Sequence, residues 1–116
     1  MSIKIEFIEG VLETNFPVIK LTKSRNGKTG TATFVFINPK IFEIINNQIE
    51  VITSLTLSWE EKRLTTSDLE VIFKDGKPFL IKAIFIFKNA KEWFDFLNLI
   101  NFYSKEIGLS FSKKAF

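Results

Sequence analysis

Two dipeptides, Asn26-Gly27 and Asp75-Gly76, constrain the fold of this chain more than any other feature. Each stands between runs rich in β-branched and aromatic residues. Asn-Gly and Asp-Gly readily take the positive φ angles of a tight antiparallel turn. The first predicts a hairpin of Val18–Arg25 with Thr31–Ile37, with Ile19, Leu21, Lys23 and Arg25 on one face and a turn from Asn26 to Gly30. The second predicts Leu69–Lys74 returning as a long strand from Pro78 to Lys88. Both faces of that return strand are apolar, Phe85 and Phe87 on one and Ile84 and Ile86 on the other. A central strand covered on both sides reads this way, as does a strand with a partner on one face.

The remaining segments fit around these hairpins. Ile3, Ile5 and Phe7 alternate with Lys4 and Glu6, the pattern of a half-buried strand. Gly10 to Pro17 reads as a loop. Asn38-Pro39 stops the first hairpin and predicts a short helical turn over Lys40 to Ile45, with Asn38 as its cap. Val51 to Trp59 reads as a strand with Val51, Leu55, Leu57 and Trp59 on one face, followed by a polar loop from Glu60 to Thr66. Asn89 and Glu92 then have the spacing of a capping box. Beyond them Trp93, Leu97, Ile100, Ser104 and Ile107 recur at helical spacing, with Phe96 and Tyr103 alongside and Gly108 as the stop. Phe94 and Phe102 fall outside that stripe and read as core at the helix edges, the reading favoured over an exposed patch for a partner. Residues 109–116 show no periodicity and leave room for a flexible tail. The expectation is one domain over residues 1–116 of the α+β class, an antiparallel β-sheet meander with a long C-terminal helix and a short helical segment packed on it.

Composition bounds the chemistry. The chain has neither cysteine nor histidine, so disulfides, thiolate nucleophiles and serine–histidine or cysteine–histidine catalysis are excluded within it. No catalytic, cofactor or metal site is expected. Glu60-Glu61 and Asp68 with Glu70 are the only acidic groupings, and carboxylates on a polar loop are ordinarily solvated. Gly27-Lys28-Thr29 resembles the end of a phosphate loop. However, position 22 is threonine where that motif needs glycine, and a strand follows where it needs a helix. The densest apolar run, Phe79 to Phe87, is interrupted by Lys82 and too short to span a bilayer as a helix. The amino terminus has no apolar signal core, which predicts work in the compartment of synthesis.

The net charge of +3 selects no partner by itself. Lys20, Lys23, Arg25 and Lys28, with Lys40, nevertheless form a basic strip around the first hairpin. Three readings of it stand open. It is a solvated turn, a dock for an acidic protein or membrane surface, or a single-stranded nucleic-acid site in which Phe34 and Phe36 stack on bases.

The run from Ile19 through Lys20, Leu21, Thr22, Lys23, Ser24, Arg25 and Asn26 to Gly27 continues as Thr29 to Phe36 and closes on Asn38-Pro39-Lys40. It resembles the signature hairpin of a photosystem II assembly-factor family, the thirteen-kilodalton or Psb-twenty-eight family. Ile52-Thr53, Phe73 to Pro78, Lys91-Glu92-Trp93 with Phe96, Phe102 and Tyr103, and Gly108 to Lys113 agree in order, so the resemblance covers nearly the whole chain. The Glu60–Thr66 segment carries lysine where relatives are more acidic, and the helix is richer in phenylalanine; neither departure touches the hairpin.

The resemblance implies a non-catalytic accessory protein without cofactor. It would be peripheral to the thylakoid membrane on the stromal side in a chloroplast, or on the cytoplasmic side in a cyanobacterium. It would bind transiently to photosystem II intermediates containing the larger chlorophyll-binding core antenna and reaction-centre subunits, with the antenna's C-terminal tail adding as a strand to its sheet. Lys20, Thr22, Lys23, Ser24, Arg25, Lys28 and Lys40 are the expected partner-binding residues. An open sheet edge would also allow weak self-association.

Overall fold

The computed structural model describes residues 3–107 and 110–115, with side chains described through residue 101. In chain order the strands are β1 (Ile3–Ile8), β2 (Val11–Leu12), β3 (Val18–Lys23), β4 (Gly30–Ile37), β5 (Leu55–Trp59), β6 (Lys62–Thr66), β7 (Leu69–Lys74), β8 (Lys77–Phe87) and β9 (Ser110–Ala115). A short helix α1 (Ile41–Ile44) follows β4, and the long helix α2 (Ala90–Ile107) lies between β8 and β9. The α+β class expected from the sequence is what forms.

The strands make two sheets instead of one meander. The smaller has the order β2-β1-β5-β6 and the larger the order β7-β8-β4-β3-β9. Every described pairing is antiparallel except β3 with β9, which run parallel from Val18 opposite Ser110 to Lys23 opposite Ala115. A parallel partner needs a crossover, and α2 supplies its last leg.

Alternation places the core. Ile19 and Leu21 of β3, Ala32, Phe34 and Phe36 of β4, and Ile81, Ala83, Phe85 and Phe87 of β8 turn inward and are buried. Two covers share this inner face. At one end Phe36 meets Phe7 of β1 edge-on at 4.9 Å, so the smaller sheet packs there. At the other end Phe87 meets Trp93 at 5.3 Å and Phe96 at 4.9 Å, so α2 packs there. On the outer face of β8, Ile84 is half-buried and Ile86 exposed. Of the two readings of this strand, the one with a partner on a single face applies.

Helix α2 starts where the capping box requires. The Glu92 N–H donates to Asn89 Oδ1 at 2.9 Å and Asn89 Nδ2 donates back to Glu92 Oε1 at 2.8 Å. Trp93, Phe96, Leu99 and Ile100 are buried, so the stripe includes Leu99, while Leu97 is half-buried. Phe94 is 48% exposed and is not core. It points away from the Trp93–Phe96–Ile100 stripe, about one residue's helical rotation off it. The expectations for the side chains of Phe102, Tyr103, Ser104 and Ile107, and for Gly108 as the stop, lie outside the described residues. On the solvent side Asp95 bonds Lys91 at 3.0 Å and lies 3.8 Å from Lys62. The Lys91 hydrogen bond, helped by the charge of Lys62 and opposed by partial desolvation, lowers its pKa.

Four local expectations are corrected. Residues 60–66 are not a loop: Glu60 and Glu61 form a two-residue turn and Lys62–Thr66 is the edge strand β6. Val51 is not on the β5 face, since Ile49–Val51 is a 3₁₀ turn and Val51 is 45% exposed. Residues 110–115 pair with β3, so this part of the tail is a strand. Helix α1 is not capped by Asn38. The buried carboxylate of Glu13 reaches it from the β2–β3 connection, accepting the N–H groups of Lys40 at 2.8 Å and Ile41 at 3.0 Å, and that of Asn15 at 3.0 Å. A carboxylate there satisfies free amides and faces the positive end of the helix dipole.

Candidate docking site

The first hairpin is held by six paired positions, from Val18 opposite Val35 to Lys23 opposite Gly30. Its connection is the six-residue loop Ser24–Thr29, longer than the five-residue turn expected. The Ser24 N–H donates to the Thr29 carbonyl and the Gly27 N–H to the Ser24 carbonyl, both at 3.0 Å. Asn26 organises the tip by side chain. Its Oδ1 accepts the Ser24 hydroxyl at 2.8 Å and the Lys28 N–H at 2.9 Å, and Ser24 Oγ accepts the Thr29 N–H at 3.2 Å. Gly27 follows with φ +71°, a left-handed conformation that favours glycine. A loop closed by its own hydrogen bonds has little further backbone entropy to lose on binding.

Three of the hairpin's charges are exposed: Arg25 and Lys28 in the loop, and Lys20 on the outer face of β3, which it shares with the half-buried Thr22. Lys23 is half-buried and has the parity of Ile19 and Leu21 at the end of the strand. Among the described residues none of Lys20, Lys23, Arg25 and Lys28 forms an ion pair. Ser24 serves the loop itself. Lys40 does not join this group. It lies beyond the far end of β4, some 20 Å or more from Gly30 at strand rise, with its Nζ 3.4 Å from Glu43.

The base of the hairpin is pinned by a contact that the sequence does not announce. A β-carbon at Gly30 would come within 2.7 Å of the Trp93 ring and 2.5 Å of the Thr22 carbonyl oxygen. The indole of α2 therefore lies directly on the backbone where β4 begins. Only glycine allows that approach.

The edge next to the loop is not bare. β9 pairs with β3 along its whole length, so the chain closes that rim with its own strand and presents the outer edge of β9 instead. The stacking surface of the nucleic-acid reading is absent. Phe34 and Phe36 are each 1% exposed and turn inward among Phe7, Phe85 and Phe96. The acidic groupings lack the apolar enclosure of a catalytic acid. Glu60 and Glu61 are exposed in a turn, Glu70 is exposed on β7, and Asp68 is exposed at the rim of an open hollow of about 360 Å³ beside Thr66, Ile86 and Glu92. No helix among the described residues is long and apolar enough to cross a membrane.

Fold and site together define a two-sheet α+β protein that presents a self-braced basic hairpin at one end of its larger sheet. The family model for the Psb28 protein matches residues 5–111, and the chain belongs to that family. It is 43% identical over 109 residues to the photosystem II reaction center Psb28 protein of Guillardia theta, covering 94% of each chain. It is 40% identical over 110 residues to the protein of the same name from Nostoc punctiforme, covering 95% of this chain and 96% of that one. With that of Phaeodactylum tricornutum it shares 41% identity over 115 residues, 99% of this chain and all of the other.

Proposed function

We propose that this protein is a non-catalytic accessory factor of photosystem II. It docks transiently on assembly intermediates containing the larger chlorophyll-binding core antenna, at the stromal or cytoplasmic face of the thylakoid membrane. Family membership over nearly the whole chain supports the association with photosystem II. The observation that carries the mode of docking is the basic loop beside a sheet edge, with its cations free of described internal partners.

The mechanism follows from that arrangement. Lys23, Arg25 and Lys28, with Lys20, raise the encounter rate with acidic loops of the partner and fix its orientation. Thr22 and Ser24 lie between these cations, and Lys40 contributes only at the far end of β4. The antenna's C-terminal tail then pairs as an extended strand with the hairpin end of the sheet, on the outer edge of β9 or in place of β9. Such an interface is modest in area, consistent with later displacement.

Native gels of solubilised thylakoids test this reading. The expected result is co-migration with immature photosystem II containing the core antenna and release on maturation. Exclusive recovery in the mature oxygen-evolving complex contradicts it.

A further inference from the structure

We propose that β7, at the end of the large sheet opposite the hairpin, pairs antiparallel with β7 of a second copy of this chain about a two-fold axis through Ile72. Among the four outermost described strands, β7 is the long one whose charges, Glu70 and Lys74, are of opposite sign. β2 has two residues, β6 carries Lys62 and Arg63 and is tied to α2 by the Lys62–Asp95 pair, and β9 carries Lys113 and Lys114. β7 is six residues long without proline, and it exposes Ile72 by 39% and Phe73 by 51%. Its register on β8 shifts between Ile72 and Phe73, where Phe79 is the extra residue on β8 and β7 itself runs on without an insertion. Natural proteins ordinarily blunt such an edge.

The hydrogen-bonding parity of the edge is readable. The Ile84 N–H donates to the Asp68 carbonyl at 3.0 Å, so Ile84, Lys82 and Leu80 turn their backbone groups toward β7. Their partners Glu70 and Ile72 therefore turn inward. Val71 and Phe73 turn outward, where no described residue meets them. An incoming antiparallel strand must oppose Val71 and Phe73 with its own outward-facing residues. For a second copy this leaves two-fold centres at Val71, Ile72 or Phe73.

Charge selects among the three. Glu70, Ile72 and Lys74 alternate on the outer face of β7. Centring on Val71 sets Glu70 against Ile72 of the second copy, and centring on Phe73 sets Lys74 against it. Centring on Ile72 sets Glu70 opposite Lys74 of the second copy, twice by symmetry, with Ile72 on Ile72. It also puts each exposed Phe73 beside Val71 of the other chain, in the pairs that exchange four backbone hydrogen bonds. Within one chain Lys82 flanks Glu70 in register on the inner side and Lys74 Nζ rests 5.1 Å over the Phe79 ring, so the pair across the axis competes with these neighbours and the contact is weak. An isologous edge with opposite charges placed symmetrically about its centre is complementary to itself.

The proposal is tested by analytical ultracentrifugation of the full chain at low salt and up to about 1 mM, where even weak contacts populate. Wild type is expected to dimerise with concentration. Glu70→Lys and Lys74→Glu alone should each weaken dimerisation about tenfold or more, because both symmetric pairs become repulsive. An equimolar mixture of the two variants should dimerise again, since one chain then carries two lysines and the other two glutamates. The double variant should do the same. A monomeric wild type at the highest concentration, single variants that dimerise as wild type, or a mixture that fails to recover would overturn the proposal. The hairpin lies at the other end of the sheet, so neither substitution should alter co-migration with photosystem II intermediates. Dimerisation and docking can therefore fail independently.

Discussion

Gly30→Ala is expected to destabilise the protein by about 2 kcal/mol or more, lowering the thermal midpoint by roughly 10 °C. The backbone conformation at Gly30 is ordinary, so the cost comes from space. The added methyl group would enter the Trp93 ring, which is fully buried and held against Phe87 and Phe96. The Thr22 carbonyl on the other side belongs to the paired strand and cannot retreat without breaking the ladder. Gly27→Ala makes the contrasting control. A β-carbon there meets nothing within 4 Å, but φ is +71°, so the cost is backbone strain of about 1 kcal/mol. Adding Trp93→Phe should recover part of the Gly30→Ala loss relative to the sum of the single effects, because the two residues contest one volume. Melting curves followed by circular dichroism decide the matter. Equal midpoints for Gly30→Ala and wild type would mean that α2 does not pack on the start of β4.

The second large effect concerns docking. Reversing Lys23 and Arg25 together to glutamate should reduce recovery on immature photosystem II by about tenfold or more while leaving the thermal midpoint within a few degrees. Neither side chain has a described ion pair to lose, and Arg25 is exposed. The loop beneath them is closed by Ser24, Asn26 and backbone groups, which the reversals leave in place. Lys40→Glu is the matched control. That lysine already sits beside Glu43 at the far end of β4 and should matter little for association. Equal loss from Lys40→Glu, or no loss from the double reversal, would remove the hairpin from the interface. Reduced dependence on salt in the double variant would identify the lost term as charge.

The sequence reports local chemistry well and distant partners poorly. Both hairpins and the capping box at Asn89 and Glu92 follow from neighbours within a few residues. Strand β6 was illegible because only Leu64 of its five residues carries an apolar side chain, and edge strands hide in this way. Strand β9 was illegible because its partner lies some ninety positions earlier and its own residues are mostly serine and lysine. The cap of α1 comes from Glu13, 27 and 28 residues before the amides it accepts, and nothing near Lys40 signals it. At the site, the cations of the hairpin tip were legible as a cluster. The exclusion of Lys40 was not, since it depends on the length of β4, which carries that lysine away from the loop, nor was the burial of Phe34 and Phe36, which depends on which face of β4 meets the core.

Amide hydrogen exchange of the free protein, with and without a synthetic peptide of the antenna's C-terminal tail, reports most directly on the docking account. An added strand at the hairpin end should slow exchange in β9, or quicken it there while β3 stays protected if the peptide takes β9's place, and in either case leave β7 and β6 unchanged. Saturating peptide with no change in β3 or β9, or protection confined to β7 or β6, would contradict it.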